Sequence, residues 1–197
     1  MNHPHAFTSA TPPTPTLTVH RLDGPGAQAA ASALADLLID CVHGGASVGF
    51  MAPLPHERAL AFWYGVAAGV ARHERALLVA RDAEGRIVGT VQLVLALPDN
   101  QPHRADVAKM LIHRSARRRG VAQQLLAALD ATARTEGRRV LVLDTVTGSD
   151  AERLYARAGW QRAGCVPDYA LMPDGALCST SYFFKHLAPG SASMALT

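Results

Sequence analysis

Ala105-Asp106-Val107-Ala108-Lys109-Met110-Leu111-Ile112-His113-Arg114-Ser115-Ala116-Arg117-Arg118-Arg119-Gly120-Val121-Ala122 decides the reading of this chain. Ala105 to Ile112 has the composition of a strand. From Val121 onward, Val121, Leu125, Leu126, Leu129 and Ala133 recur on one helical face, and Gly137 stands past the helix end. A strand therefore runs into a helix through an arginine-rich turn. At such a helix start several backbone N–H groups have no internal partner and the helix dipole is positive. Small residues at Gly120 and Ala122 let that backbone approach a ligand, and Arg117, Arg118 and Arg119 add mobile positive charge. Together they form a seat for a phosphate or pyrophosphate. The P-loop and dinucleotide glycine patterns are both absent. Taken alone, three arginines in a turn mark a solvated loop equally well.

Outward from this segment the pattern stays mixed. Leu17 to Leu22 reads as a first strand, ended by Asp23-Gly24-Pro25-Gly26. Ala30, Leu34, Leu37, Leu38 and Cys41 mark a helix that Gly44-Gly45 stops, and Leu60, Trp63, Ala67 and Val70 mark a second. Ala76 to Arg81 and Arg86 to Leu95 form a hairpin whose turn carries Gly85. On the C-terminal side, Val140 to Leu143 is a continuous apolar run, the pattern of a strand buried on both faces. Ser149-Asp150-Ala151-Glu152 is a capping box for a short helix that ends at Gly159. Two strands, Gln161 to Val166 and Ser179 to His186, follow around a turn at Pro173-Asp174-Gly175. This is an α/β chain of the layered α+β kind with a mixed sheet.

The 197 residues are 49% apolar, 18% charged and 6% aromatic, and 19 basic against 16 acidic groups leave a formal charge of +3. That balance argues against a nucleic-acid partner, which needs a wide basic face with stacking aromatics. The most apolar stretch, Ile87 to Leu97, is too short to span a bilayer, so no membrane partner is expected. Cys41, Cys165 and Cys178 are far apart and odd in number, which disfavours a disulfide framework or a metal site and fits a cytoplasmic location. Cys41 and Cys165 read as core residues. Residues 1–16 and 188–197 are expected to be tails, with one domain over 17–187.

The ordered set of motifs resembles the GNAT N-acetyltransferases. Arg-x-x-Gly-x-Ala at Arg117 to Ala122 is similar to the coenzyme A pyrophosphate loop of that family. Leu143-Asp144-Thr145, Ala151-Glu152-Arg153-Leu154-Tyr155 and Gly159-Trp160 follow in the family's order. Within the family, His43-Gly44-Gly45-Ala46-Ser47-Val48-Gly49-Phe50-Met51 and the ending Tyr182-Phe183-Phe184-Lys185 resemble the tabtoxin-resistance branch. The resemblance implies a mostly antiparallel sheet of about seven strands flanked by about four helices. It implies acetyl-CoA as cosubstrate and no metal. The acceptor it implies is a small-molecule amine, in that branch an amino-acid-like toxin of the tabtoxinine-β-lactam kind. Both monomers and homodimers occur in the family.

The same resemblance places the acetyl-pantetheine arm against Met110, Leu111 and Ile112, with a backbone N–H there polarising the thioester oxygen. It presents Tyr155 to the coenzyme sulfur, as proton donor or hydrogen-bond partner, and gives Asp144 the acceptor ammonium to orient or deprotonate. It turns His43, Ser47 and Phe50 toward the acceptor pocket. Without it, Tyr155 reads first as a packed aromatic and His43 as a surface residue, while Asp144 reads equally as a carboxylate accepting from the next turn. One departure stands out: Gly148 occupies the place of the usual asparagine, so that coenzyme contact is lost or passes to Ser149. Two other functions share this fold, acetylation of a protein or peptide amine and non-catalytic acyl-CoA sensing.

Overall fold

The computed structural model describes residues 17–188. The tail expected over 1–16 and all of the C-terminal one except Ala188 lie outside the described residues. In chain order the elements are β1 (Thr18–Leu22), α1 (Gly24–Ala29), α2 (Ala31–His43), α3 (His56–Ala71), β2 (Arg75–Arg81), β3 (Ile87–Val94), β4 (Arg104–Ile112), a 3₁₀ turn (Arg114–Ala116), α4 (Val121–Thr135), β5 (Val140–Val146), α5 (Asp150–Arg157), β6 (Gln161–Leu171) and β7 (Leu177–His186). The seven strands form one sheet in the order β1-β2-β3-β4-β5-β7-β6. Every neighbouring pair is antiparallel except β4 and β5, which the α4 crossover makes parallel.

Five α-helices stand among the described residues where about four were expected. The extra one is α1, in the glycine-proline stretch read as a break. Asp23 caps it by accepting from the Gly26 amide at 2.8 Å, and Pro25 sits in the first turn, where its missing N–H costs nothing. Helices α1, α2 and α3 pack on one face of β1 to β4 around Leu34, Leu38, Trp63, Leu77 and Val79. Helices α4 and α5 pack on the other face around Leu78, Val91, Leu125, Leu129, Leu141 and Phe183. The doubly buried strands are β2 and β3, not β5. In β5 only Leu141 and Leu143 are buried, and both face the α4–α5 side. Strand β6 is an exposed edge, and Cys165 lies on it in solvent, contrary to the core position expected; Cys41 and Cys178 are buried.

Two irregularities open the middle of the sheet. Strands β4 and β5 pair only at Arg104 to Asp106 with Val140 to Val142. Beyond those rungs they have no partner in each other, so the β4 edge from Val107 to Ile112 presents unpaired backbone groups to a gap. The second irregularity is a bulge in β4. Thr90 pairs with Leu111 but Gln92 pairs with Ala108, so two residues of β4 oppose Val91. Lys109 in the bulge has φ +52°. The extra residue inverts the alternation: Val107 packs in the α4 core, whereas Leu111, four residues on, packs in the α1–α3 core.

Candidate active site

The turn after β4 has the open backbone that the arginine-rich segment implied. Gln124 is the first amide of α4 to find a helical acceptor, the Gly120 carbonyl at 3.1 Å. Among the described residues the amides of Arg118 to Gln123 have no backbone acceptor. Arg118 (φ +62°) and Gly120 (φ +79°) are both left-handed, and consecutive amides in such a turn converge on a concavity suited to an anion. A Cβ added at Gly120 would meet no atom within 4 Å, so the concavity is unfilled by protein. Arg117, Arg118 and Arg119 are solvent-exposed. Val121 is buried and offers only its N–H; Ala122 is half-buried.

Asp40, near the end of α2, fixes the start of this turn. Its carboxylate accepts from the Arg114 amide at 3.0 Å and from Arg114 Nε at 2.7 Å, and His113 Nε2 lies at 3.6 Å. Burial by itself would raise the Asp40 carboxyl, but the Arg114 hydrogen bonds and the His113 and Arg114 charges hold it below its usual value. Nothing in the sequence pattern singled out Asp40, because it lies 74 residues from Arg114.

The gap between β4 and β5 has two sides, set by strand alternation. Met110 and Ile112 pack on the α4 side together with Leu141, Leu143 and Tyr155. Leu111, 1% exposed, is spent on the α1–α3 core, so only its main chain can serve a ligand. Tyr155 is 5% exposed, its ring edge-on to Trp160 at 5.7 Å and tilted to Phe183 at 6.4 Å. Burial first, and the charge of Asp144 second, push its phenol well above the usual tyrosine range, so it holds its proton. Asp144 alternates with Leu143 and therefore emerges on the opposite side, exposed, paired in register with Tyr182. The Tyr182 phenol, hydrogen-bonded to Tyr169, is pushed up to about 12.

On the side of the sheet where Asp144 emerges, the glycine-punctuated loop and α3 supply the wall. Phe50 stacks edge-on against Phe62 at 5.3 Å, and Arg58 lies 5.8 Å from the Phe50 ring centre. Lys109, lifted by the bulge, holds its Nζ 5.6 Å from the Phe62 centroid. Gly49 (φ +85°) brings the loop close, since a Cβ there would stand 3.8 Å from that Nζ. Burial lowers the Lys109 ammonium, Asp144 raises it in part, and Arg75 lowers it further. Ser47 straps the loop to β6 by donating to the Leu171 carbonyl at 2.9 Å, and the Ala52 amide bonds the Pro173 carbonyl at 3.0 Å. His43 ends α2 in solvent, and among the described residues no hydrogen bond joins it to Ser47 or Asp144. The sequence reading missed Lys109 and Phe62, whose positions follow from a bulge that a run of strand-forming residues conceals.

At the far rim, Ser149 caps α5 by accepting from the Glu152 amide at 3.1 Å, which leaves its own hydroxyl proton free to donate. The return bond of the box lands on Gly148, whose amide donates to Glu152 Oε2 at 2.5 Å. Two shallow concavities elsewhere, one beside Leu37 and Arg81 and one beside Leu22 and Val70, gather neither Asp144 nor Tyr155. Among the described residues no group of three or more His, Cys, Asp or Glu could hold a metal ion, and no helix is long and apolar enough to cross a membrane.

Known proteins are similar to this chain in sequence and in fold. An uncharacterised N-acetyltransferase of the hisH-hisA intergenic region of Azospirillum brasilense is 36% identical over 113 residues, 56% of this chain and 65% of that relative. The match thus spans just under two thirds of the relative's length. The N-acetyltransferase structure from Staphylococcus aureus Mu50 superposes with a TM-score of 0.72 at 18% identity, covering 88% of this chain and 99% of that one. The structure of yncA from Salmonella typhimurium, solved with its cofactor acetyl-CoA, gives 0.70 at 19% identity, covering 91% and 99%. At these identities the structures show a shared fold. The family pattern itself matches residues 34–160, from α2 through Trp160 and so across the open turn, the splayed strands and Tyr155: the chain belongs to the acetyltransferase (GNAT) family.

Proposed function

We propose that this protein is an acetyl-CoA-dependent N-acetyltransferase that moves the acetyl group directly to the amine of a small molecule in a ternary complex. The observation that carries the reading is the pairing of the open amide run, Arg118 to Gln123, with a splayed β4–β5 gap that has Tyr155 on one side and Asp144 on the other. The amides and Arg117 to Arg119 would hold the pyrophosphate of the coenzyme, with Ser149 donating at the rim. Met110 and Ile112 would line the pantetheine arm. Acetyl-CoA supplies an activated acyl carbon on a thiol leaving group.

The chain's own groups account for each remaining need of the transfer. The C–N bond forms as the amine lone pair attacks the acyl carbon, and the C–S bond breaks with its electron pair leaving on sulfur. An unpaired N–H of the β4 edge beside the bulge polarises the acyl oxygen; a fixed donor of that kind contributes about 3–4 kcal/mol in other acyl transfers. Tyr155 keeps its proton at neutral pH and so donates a hydrogen bond to the departing sulfur from its side of the gap. Asp144, on the acceptor side, orients the incoming ammonium and takes one proton directly or through water, and the proton that nitrogen sheds as the amide forms passes to the departing thiolate. Holding amine and thioester in one gap supplies much of the rest.

The acceptor is read as amino-acid-like, of the tabtoxinine-β-lactam type, on the likeness of the loop His43 to Met51. Three unpaired thiols suit a cytoplasmic protein. The test is acetyl-CoA-dependent thiol release with amino acids, amine antibiotics and tabtoxinine-β-lactam as acceptors. A melting scan with and without acetyl-CoA runs alongside. Acceptor-dependent release supports the reading; neither release nor stabilisation overturns it.

A further inference from the structure

We propose that Lys109 reads a carboxylate on the acceptor, so that Lys109 and Asp144 together select a small zwitterionic amino acid over amines that lack an acid group. This rests on the acetyl-transfer reading above and names the substrate class of the same site. Lys109 is a half-buried cation with its Nζ against the Phe62 ring, and among the described residues it makes no ion pair. A desolvated ammonium without a counter-ion is costly, and a cation–π contact offsets only part of that. The bulge exists at a similar cost, since it holds a non-glycine residue at φ +52°. Both costs are met at the same residue, on the acceptor side of the sheet.

The surroundings want an anion. On the same face of the sheet, Gln92 lies opposite Ala108 and Leu77, and Arg75 donates to Gln92 Oε1 at 2.9 Å. The Gln92 Nε2 and Arg75 Nε are buried without acceptors, so this face is rich in donors and poor in acceptors. Asp144 is near enough for its charge to act on Lys109, yet the two form no ion pair. A positive and a negative group on the same side of the sheet that form no ion pair fit a ligand carrying the opposite charges in between. An α-amino acid does so, with its ammonium toward Asp144 and its carboxylate toward Lys109. A phosphate dianion would be repelled by Asp144, a polyamine by Lys109. A peptide N-terminus carries an uncharged amide where the carboxylate belongs.

The test measures kcat and KM of the full-length protein with acetyl-CoA for the twenty L-amino acids and tabtoxinine-β-lactam, each beside its carboxamide. The carboxamide keeps the amine and removes the negative charge. Since amidation makes the amine less basic and so more available, a preference for the acid cannot arise from amine reactivity. The expected result is at least one amino acid favoured over its amide by about tenfold or more in kcat/KM, the scale of one charged hydrogen bond. Lys109→Met then raises KM for the acid until the ratio falls within about threefold, and Lys109→Arg restores most of it. Stabilisation by acetyl-CoA in both variants shows that the fold and the coenzyme site persist. An amide used as well as its acid, a ratio unchanged in Lys109→Met, or coenzyme stabilisation with no amino acid turned over each overturns the assignment. Absence of both coenzyme binding and thiol release is a different result, and it refutes the acetyl-transfer reading itself.

Discussion

Replacing Gly120 by Ala separates backbone strain from ligand contact, because the two effects come from different features of the residue. At φ +79° an L side chain is strained by about 1–2 kcal/mol. A domain of this size loses about 2–4 °C of Tm per kcal/mol, so the melting point should fall by about 2–8 °C. No clash adds to that figure, since the new Cβ meets nothing within 4 Å. The space it enters is the concavity of the amides, and a methyl group there displaces at least one charge-assisted contact to a pyrophosphate. Such a contact contributes about 1.5–3 kcal/mol, or about 10–150-fold in Kd. Gly137→Ala is the matched control: it lies past the other end of α4 at φ +69°, also with nothing within 4 Å of a new Cβ. Calorimetric titration with acetyl-CoA should show weak binding for Gly120→Ala and parental binding for Gly137→Ala, at similar losses of Tm. Parental affinity in both variants would refute the assignment of the turn as the coenzyme seat.

Three further outcomes follow from the same geometry. Tyr155→Phe keeps the packing on Trp160 and Phe183 but removes the donor to sulfur; steady-state assays should show kcat down by about 10²-fold, with KM for acetyl-CoA within about threefold. Gly148→Asn should fold normally, because φ +78° is a conformation asparagine tolerates and the space around it is open, and should lower KM for acetyl-CoA severalfold by supplying the family's usual amide. For Asp40 the folded carboxyl titrates below its unfolded value, so its contribution is present above about pH 4 and is lost as pH falls through the folded value. Acid denaturation followed by circular dichroism should therefore show a shallower loss for Asp40→Asn than for the parent over that window. The variant should also raise KM for acetyl-CoA several-fold at neutral pH as Arg114 loosens.

The sequence exposed local chemistry well and long-range geometry poorly. Arg117 to Ala122, the helical stripe from Val121 to Ala133 and the Ser149 cap are each encoded within one turn or one face, so their spacing alone reveals them. Helix α1 was hidden because Asp23-Gly24-Pro25-Gly26 carries both turn and helix-start signals, and only the Asp23 cap decides between them. The apolar run Val140 to Leu143 suggested burial on both faces, but only the side of β5 toward α4 and α5 is buried, which no local pattern specifies. Cys165 was misplaced for the same reason, since nothing local says that β6 is an edge.

The bulge is the instructive case. Ala105, Val107, Met110, Leu111 and Ile112 are apolar, and a regular strand would put Val107 and Leu111 on one face. Lys109 would then share that face, pointing into the α4 core, where an ammonium has no place. One inserted residue removes the conflict: Val107, Met110 and Ile112 keep the α4 side, while Leu111 and Lys109 turn to the α1–α3 side. A lysine in the middle of an apolar strand was therefore the one signal of a bulge that the sequence did carry. The same insertion shifts the β4 hydrogen-bond register just where β4 parts from β5. The irregularity that brings a cation to the acceptor side thus also leaves backbone donors facing the gap, and a reversion to regular pairing would remove both together.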